Sequence, residues 1–259
     1  MNLKKSLIII VAFLCFFLVW YYHIPRKWIA PDTFPSSLKI LIDYLLGAIP
    51  VFVSLLWLHK RNLVASTGLQ LKGFFSGFAL ALLFTVPMFI GYAVKGTINT
   101  SLTVNAFFVT VLIAGLGEEL FFRGFLFGQL FRFCKWGFVP AVLINGLIFG
   151  VLHLYQGKDI YSALSVFGVT SLGALLFCWV YAEWNNNLWI VIWLHALMNC
   201  SWIVFPISQD AAGNLYANIF RGITILFVII GTIGYKKYYK LKYNVRLSTL
   251  WKNKNGVCI

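Results

Sequence analysis

The chain has 259 residues, of which 61% are apolar and 11% are Asp, Glu, Lys or Arg, whereas about 25% are charged in an average soluble domain. Aromatic residues make up 18%, and 21 basic against 7 acidic residues give a formal net charge of +14. A soluble domain of this length could not bury so much apolar surface and still present a polar exterior. The composition excludes an ordinary soluble enzyme, a disordered chain and a disulfide-stabilised scaffold. It predicts an all-α membrane protein.

Transmembrane helices are predicted along the whole chain, since a helix that crosses the hydrocarbon core needs about 20 apolar residues. Eight stretches meet this requirement, approximately 6–23, 38–58, 73–94, 102–121, 138–155, 161–182, 187–206 and 215–235. No linker or repeat separates them, so residues 1–240 are predicted to form a single transmembrane helical domain. Residues 241–259 are predicted to form a basic cytoplasmic tail.

Lys and Arg are distributed unevenly between the ends of these stretches. With the N-terminus in the cytoplasm, 14 of the 21 lie on the cytoplasmic side, 6 lie on the other side and Arg123 lies within a span. Because cytoplasmic loops are enriched in Lys and Arg, both termini are predicted to be cytoplasmic. We expect a multi-pass protein of a bacterial plasma membrane. Its basic charge is assigned to anionic lipid headgroups rather than to nucleic acid.

The fourth apolar region is longer than one span, because apolar character continues from Ser101 to Phe133. About 33 helical residues would extend roughly 50 Å, well beyond a hydrocarbon core of roughly 30 Å. The helix is therefore either strongly tilted or broken near Gly115 and Gly117, and we favour a break, with the second half close to the membrane interface.

Ionisable side chains inside apolar stretches mark candidate functional positions, because each costs about 2.5–3.5 kcal/mol on insertion scales. Three groups occur, namely Glu118-Glu119-x-x-x-Arg123, Phe149-x-x-x-His153 and His195-x-x-x-Asn199. Residues four apart share a helix face, so Glu119 is expected to pair with Arg123 and to leave Glu118 free. If the three faces converge, they form one polar cavity inside the membrane.

Such a cavity has the groups that peptide hydrolysis requires, which are a base for water, a donor for the oxyanion and an acid for the leaving amine. A Glu beside a His can polarise water, and a His–Asn pair can donate to an oxyanion. The residues alone leave two alternatives open. The adjacent carboxylates could form a proton relay in a transporter, and His195 with Asn199 could be an interhelical polar clamp.

Polar residues elsewhere are given structural interpretations. His23, His59 and Glu183 lie at the ends of predicted spans and are interpreted as interfacial groups. The five cysteines are widely spaced and form no CxxC pair, so we expect no disulfide framework and no zinc knuckle.

The three motifs resemble those of the CPBP intramembrane proteases, a family that includes the CAAX proteases and bacteriocin-processing or immunity proteins. The resemblance covers about residues 100–205. It implies an eight-helix fold around a polar intramembrane cavity that opens toward the cytosol. It also implies catalytic roles for two pairs of residues, in which Glu118 with His153 activates water and His195 with Asn199 stabilises the oxyanion.

Supporting roles fall to neighbouring residues of the same motifs. The resemblance implies that Glu119 and Arg123 shape the site, and we expect Phe149 to pack beneath it. The predicted function is an intramembrane endopeptidase that acts on a membrane-associated or prenylated protein or on a peptide precursor.

The cofactor and the catalytic activity each have an alternative. No cofactor is favoured, because the sequence contains no HExxH motif. The alternative is zinc held by Glu118, His153 and His195, since three protein ligands are typical of catalytic zinc. A non-catalytic bacteriocin-immunity or binding protein of the same fold is a further alternative.

Overall fold

A computed structural model describes residues 2–29 and 31–253. The main helices are α1 (Leu3–Tyr21), α2 (Ile24–Ile29), α3 (Ser36–Gly47), α4 (Ile49–His59), α5 (Leu63–Thr67), α6 (Phe74–Lys95), α7 (Val104–Phe133), α8 (Phe138–His153), α9 (Ile160–Glu183), α10 (Leu188–Val204) and α11 (Leu215–Tyr238). No β-strand occurs within the described ranges. The predicted all-α polytopic fold is therefore confirmed.

The number of membrane-crossing helices differs from the predicted eight. Among the described residues, six helical stretches are long and apolar enough to cross a membrane. These are α1, α7, α8, α9, α11 and the stretch from Ile49 to Lys95, which contains α4, α5 and α6. Helix α10 is apolar but has only 17 residues, and a turn at Ala48 separates α3 from α4. Every predicted stretch thus lies mainly on helix, but the count of eight is not confirmed.

Helix α7 runs without interruption over 30 residues, so the predicted break near Gly115 and Gly117 is wrong. The helix instead widens into π-helical turns at Phe108–Ile113 and Glu119–Phe127. π-Helical turns are rare in proteins, and those that occur are often found at functional sites. Here the second one begins directly after Glu118.

The two glycines allow neighbouring helices to approach α7 closely. A Cβ added to Gly117 would lie 2.7 Å from the Tyr44 ring of α3, and one added to Gly115 would lie 3.2 Å from the Cβ of Ala196 in α10. Both glycines therefore act in packing, in agreement with the absence of a chain break.

The second half of α7 forms the centre of the protein rather than an interfacial segment. Phe122, Phe125 and Phe127 are almost completely buried. The ring centroids of Phe13 and Phe122 lie 5.1 Å apart with their planes close to perpendicular, which joins α1 to α7. This packing holds the Glu118–Arg123 segment inside the helix bundle, away from lipid.

Both ends of the described chain lie on one side of the bundle, which we call the terminal face. It consists of the start of α1, the ends of α4, α7, α9 and α11, and the starts of α6, α8 and α10. Hydrogen bonds across it include Asn2 N–H to the carbonyl of Cys134 (3.1 Å) and Leu188 N–H to the carbonyl of Gly68 (3.0 Å). The other ends of α1 and α6 to α11, together with α2 and the start of α3, form the opposite face, where Asn99 N–H donates to the carbonyl of Val204 (2.9 Å).

Glu183 and His59 lie at helix ends of the terminal face, and both are buried by protein. Glu183 is 2% exposed, forms an ion pair with Lys236 and accepts a hydrogen bond from the Val245 backbone (2.7 Å). Nε2 of His59 lies 2.6 Å from Oε1 of Gln129. Neighbouring polar groups therefore satisfy the Glu183 carboxylate inside the protein, whereas Nδ1 of His59 is buried without a hydrogen-bond partner.

The described part of the predicted tail packs back onto the terminal face. The Val139 N–H donates to the carbonyl of Leu250 (2.9 Å), and Nδ2 of Asn253 donates to the carbonyl of Phe131 (2.9 Å). Residues 254–259 of the tail lie outside the described residues. The cysteines within the described ranges, Cys15, Cys134, Cys178 and Cys200, are unpaired as predicted.

Candidate active site

One cavity of about 1070 Å³ collects the residues that the motifs single out. Its lining includes all four predicted catalytic side chains, Glu118, His153, His195 and Asn199, together with Arg123 and Phe149. Glu119 is fully buried behind it. Three separate helices, α7, α8 and α10, therefore bring their polar residues to a single space.

Glu119 holds the centre of the site through two hydrogen bonds. Its Oε1 accepts from Nη1 of Arg123 at 3.0 Å, which is the predicted i,i+4 pair, and from Nδ1–H of His195 at 2.8 Å. Because a carboxylate only accepts hydrogen bonds, the second bond fixes the proton of His195 on Nδ1. The other ring nitrogen, Nε2, is then available to the cavity.

Glu118 is oriented differently from its neighbour. Its Oε2 is buried and has no hydrogen-bond partner, and it lies 4.0 Å from Nε2 of His195. A separation of 4.0 Å is too long for a direct hydrogen bond, but a single water molecule could bridge the two atoms. The contact that the structure provides for Glu118 is thus with His195, and pairing of Glu118 with His153 stays a prediction.

Arg123 is almost completely buried and is held by aromatic rings as well as by Glu119. Its guanidinium carbon lies 4.3 Å from the centroid of the Phe149 ring and 5.5 Å from that of Phe177. The negative face of an aromatic ring attracts a cation, and the attraction grows when water is excluded. Phe149 therefore packs beneath the site as expected. Phe177 also contacts Arg123, and the sequence did not predict this contact, because Phe177 lies in an apolar stretch like many other aromatic residues.

His153 is positioned by its own helix. Its Nδ1 lies 2.8 Å from the carbonyl oxygen of Phe149, and the centroids of the two rings lie 4.6 Å apart. Since a carbonyl accepts the hydrogen bond, Nδ1 carries the proton and Nε2 is left for the cavity. The i,i+4 spacing of the motif places Phe149 one helical turn before His153, where its carbonyl and ring orient the imidazole.

Asn199 links α10 to α7. Its Nδ2 donates to the carbonyl oxygen of Thr110 at 2.9 Å, at the first π-helical turn. An asparagine amide has two donor hydrogens, so one remains for a ligand. Thr110 itself was missed by sequence reasoning, because a backbone acceptor leaves no signal in the residue type.

The cavity is open on the flank between α9 and α11. Leu172 and Leu175 of α9 line it and are exposed. The two helices meet near the terminal face, where Nε1 of Trp184 donates to Oγ1 of Thr232 (2.9 Å) and Glu183 pairs with Lys236. The exposed Leu172 and Leu175 place this flank of the cavity at the outer surface of the bundle.

The proposed zinc set does not form a cluster. Within the described ranges, no group of three or more His, Cys, Asp or Glu side chains could hold a metal ion. Nδ1 of His195 is engaged by Glu119 and Nδ1 of His153 by the Phe149 carbonyl, which leaves both Nε2 atoms free, as in zinc-bound histidines. These hydrogen bonds are therefore compatible with metal binding, but Glu118, His153 and His195 are not placed here so that all three could hold one metal ion.

Residues 98–201 match the family model described as Type II CAAX prenyl endopeptidase Rce1-like. The matched segment contains the three motifs and the helices that bear them. No curated protein matches the chain, and no solved structure matches it. The family match confirms the resemblance to the CPBP proteases and supports a CAAX-type protease activity in general.

Proposed function

We propose, from the membership of residues 98–201 in the Rce1-like CAAX endopeptidase family, that this protein is an intramembrane endopeptidase. The observation that carries the proposal is the Glu118–His195 pair, two groups 4.0 Å apart in a large cavity within the helix bundle. The substrate is a peptide segment at the membrane, because the cavity opens at the outer surface of the bundle between α9 and α11.

Water activation is the first step of the proposed reaction. A water molecule between Oε2 of Glu118 and Nε2 of His195 gives its proton to the Glu118 carboxylate while its oxygen attacks the peptide carbonyl. Glu119 keeps the other nitrogen of His195 protonated, so that Nε2 accepts a hydrogen bond from the water. This arrangement gives His195 a role in holding water that the family resemblance assigned to His153.

The developing oxyanion needs donors at the same cavity wall. The second amide hydrogen of Asn199 is available for this role. The proton taken up by Glu118 is then delivered to the leaving amine, which completes hydrolysis with no net change in the enzyme.

The decisive test is Glu118→Gln, which keeps the shape of the side chain but removes the base. We expect the cleavage of quenched fluorescent peptides in proteoliposomes to fall by a factor of about 10²–10⁴, the usual contribution of a general base. Asp159→Asn is the matched control, because Asp159 is an exposed carboxylate outside the cavity, and it should keep the full rate. An unchanged rate in Glu118→Gln would rule out the proposed base.

Metal dependence is tested separately by removing metal ions. Treatment with a strong zinc chelator followed by dialysis is expected to leave the cleavage rate unchanged. Loss of activity that returns on addition of Zn²⁺ would support the zinc alternative instead.

A binding protein without catalysis is the second candidate, favoured by the size and apolar lining of the cavity. It predicts that cells producing Glu118→Gln remain protected from a peptide toxin that the wild-type protein neutralises. Loss of protection together with loss of cleavage assigns the effect to proteolysis.

A further inference from the structure

The active-site cavity reaches the opposite face of the bundle. Its lining includes Trp20 at the end of α1, Gln156 just beyond α8, Trp202 near the end of α10 and Arg221 near the start of α11. Each of these helix ends belongs to the opposite face. The cavity therefore extends from the catalytic side chains away from both described chain ends.

Toward the terminal face, by contrast, the bundle is closed. Phe127, Tyr181 and Leu188 have no exposed surface. Nη1 of Arg132 donates to the Tyr181 hydroxyl (2.8 Å) and to the carbonyl of Ser66 (2.7 Å) beneath them. A peptide could not reach Glu118 from this side without opening the packed core.

Basic charge identifies which face lies in the cytoplasm. Of the Lys and Arg residues that the structure describes, thirteen lie on elements of the terminal face and six on those of the opposite face, with Arg123 between them. The excess marks the terminal face as cytoplasmic. Charge predicts cytoplasmic termini, and the family resemblance implies a cavity that opens toward the cytosol. Because the cavity extends toward the face opposite the termini, these two expectations cannot both hold in this chain.

We infer that the substrate reaches this active site from the extracytoplasmic side of the membrane, as an exported peptide segment. The inference rests on the proposed function, because it specifies the substrate class of the same cavity. The catalytic groups lie near the middle of α7 and α10, so the segment must insert into the outer half of the bilayer. The apolar walls of α9 and α11 suit such a segment.

Cysteine labelling in intact cells tests this sidedness without any assay of activity. In a variant lacking the native cysteines, a membrane-impermeant maleimide is applied to Tyr155→Cys, exposed at the opposite face, and to Lys240→Cys, exposed at the terminal face. A third variant, Gly222→Cys, places the thiol on the α11 wall of the cavity, where an added Cβ meets no atom within 4 Å. Gly234→Cys on the same helix is equally open but lies outside the cavity lining, so it is the matched control.

The expected result is labelling of Tyr155→Cys and Gly222→Cys in intact cells, no labelling of Gly234→Cys, and labelling of Lys240→Cys only after permeabilisation. If Lys240→Cys were labelled in intact cells and Tyr155→Cys only after permeabilisation, the cavity would face the cytoplasm, and the inference would be overturned. Labelling of Tyr155→Cys without labelling of Gly222→Cys would also overturn the inference, because it would show that the cavity is closed to the outside. Failure of the proposed chemistry appears separately, as full activity in Glu118→Gln.

Discussion

Two adjacent glutamates in α7 have different surroundings. Oε1 of Glu119 accepts hydrogen bonds from Arg123 and His195, whereas Oε2 of Glu118 is buried without a partner beside the cavity. A buried polar atom without a partner costs free energy, and it persists where a ligand or water uses it. At the scale of single residues, the site therefore separates a hydrogen-bonded carboxylate, Glu119, from the carboxylate of Glu118, which is proposed to be reactive.

Glu119→Gln is expected to lower both stability and activity. The change leaves the buried Arg123 charge without its counterion, and breaking a buried pair in this way costs about 3–5 kcal/mol. Thermal unfolding of the detergent-solubilised protein, followed by intrinsic fluorescence, measures the loss. Glu118→Gln is the control and should unfold at the wild-type temperature, because the structure gives its Oε2 no hydrogen bond. Equal unfolding temperatures for the two variants would contradict this division of roles.

Sequence spacing predicts part of the site well, because i,i+4 contacts depend only on helix geometry. The Glu119–Arg123 pair and the Phe149–His153 contact are of this kind. The contact of His195 with Glu119 joins two helices 76 residues apart in the chain, and no local pattern encodes which of two adjacent carboxylates it meets. The partners Phe177 and Thr110 were missed for the same reason, since one looks like any apolar residue and the other acts through its backbone.

At the scale of elements, α7 shows why the length argument failed. It correctly indicated that about 33 helical residues exceed the thickness of a bilayer, but it treated Gly115 and Gly117 as helix breakers. In the folded protein Gly117 lies against Tyr44 and Gly115 against Ala196. The missing side chains are needed for packing, and the helix accommodates its irregularity through π-helical turns instead.

Gly117→Ala is expected to destabilise the protein by about 1–3 kcal/mol, the usual cost of overpacking a core. The new Cβ would lie 2.7 Å from the Tyr44 ring, so the ring must move. Tyr44 lines the same cavity as Glu118. Cleavage should slow as well. Gly168→Ala in α9 is the control, because an added Cβ there meets no atom within 4 Å, and helix propensity should stabilise it by about 0.5–1 kcal/mol. Similar unfolding temperatures for both variants would argue against a packing role.

At the scale of the whole molecule, the terminal face is a sealed surface. Glu183 joins the end of α9 to Lys236 of α11 and to the backbone of Asn244 and Val245 beyond it. The described part of the basic tail is therefore tied to the helix bundle at its base. The same contacts set the spacing of α9 and α11 at the closed end of the cavity.

Lys236→Met is expected to release the segment after α11, because it leaves the buried Glu183 carboxylate without its ammonium partner. Limited trypsin digestion should then cut faster after Lys242 and Arg246. Lys237→Met is the matched control, since Lys237 is the exposed neighbour on the same helix. An unchanged rate of digestion in Lys236→Met would show that the ion pair does not hold this segment.

The short length of α10 has a consequence for how the helix is surrounded. Its 17 residues reach about 26 Å along the helix axis, less than the roughly 30 Å of hydrocarbon that a span has to cross. No residue of α10 is exposed, so neighbouring helices rather than lipid surround it. Because α10 carries His195 and Asn199, these two side chains lie on a span that does not itself have to match the thickness of the bilayer.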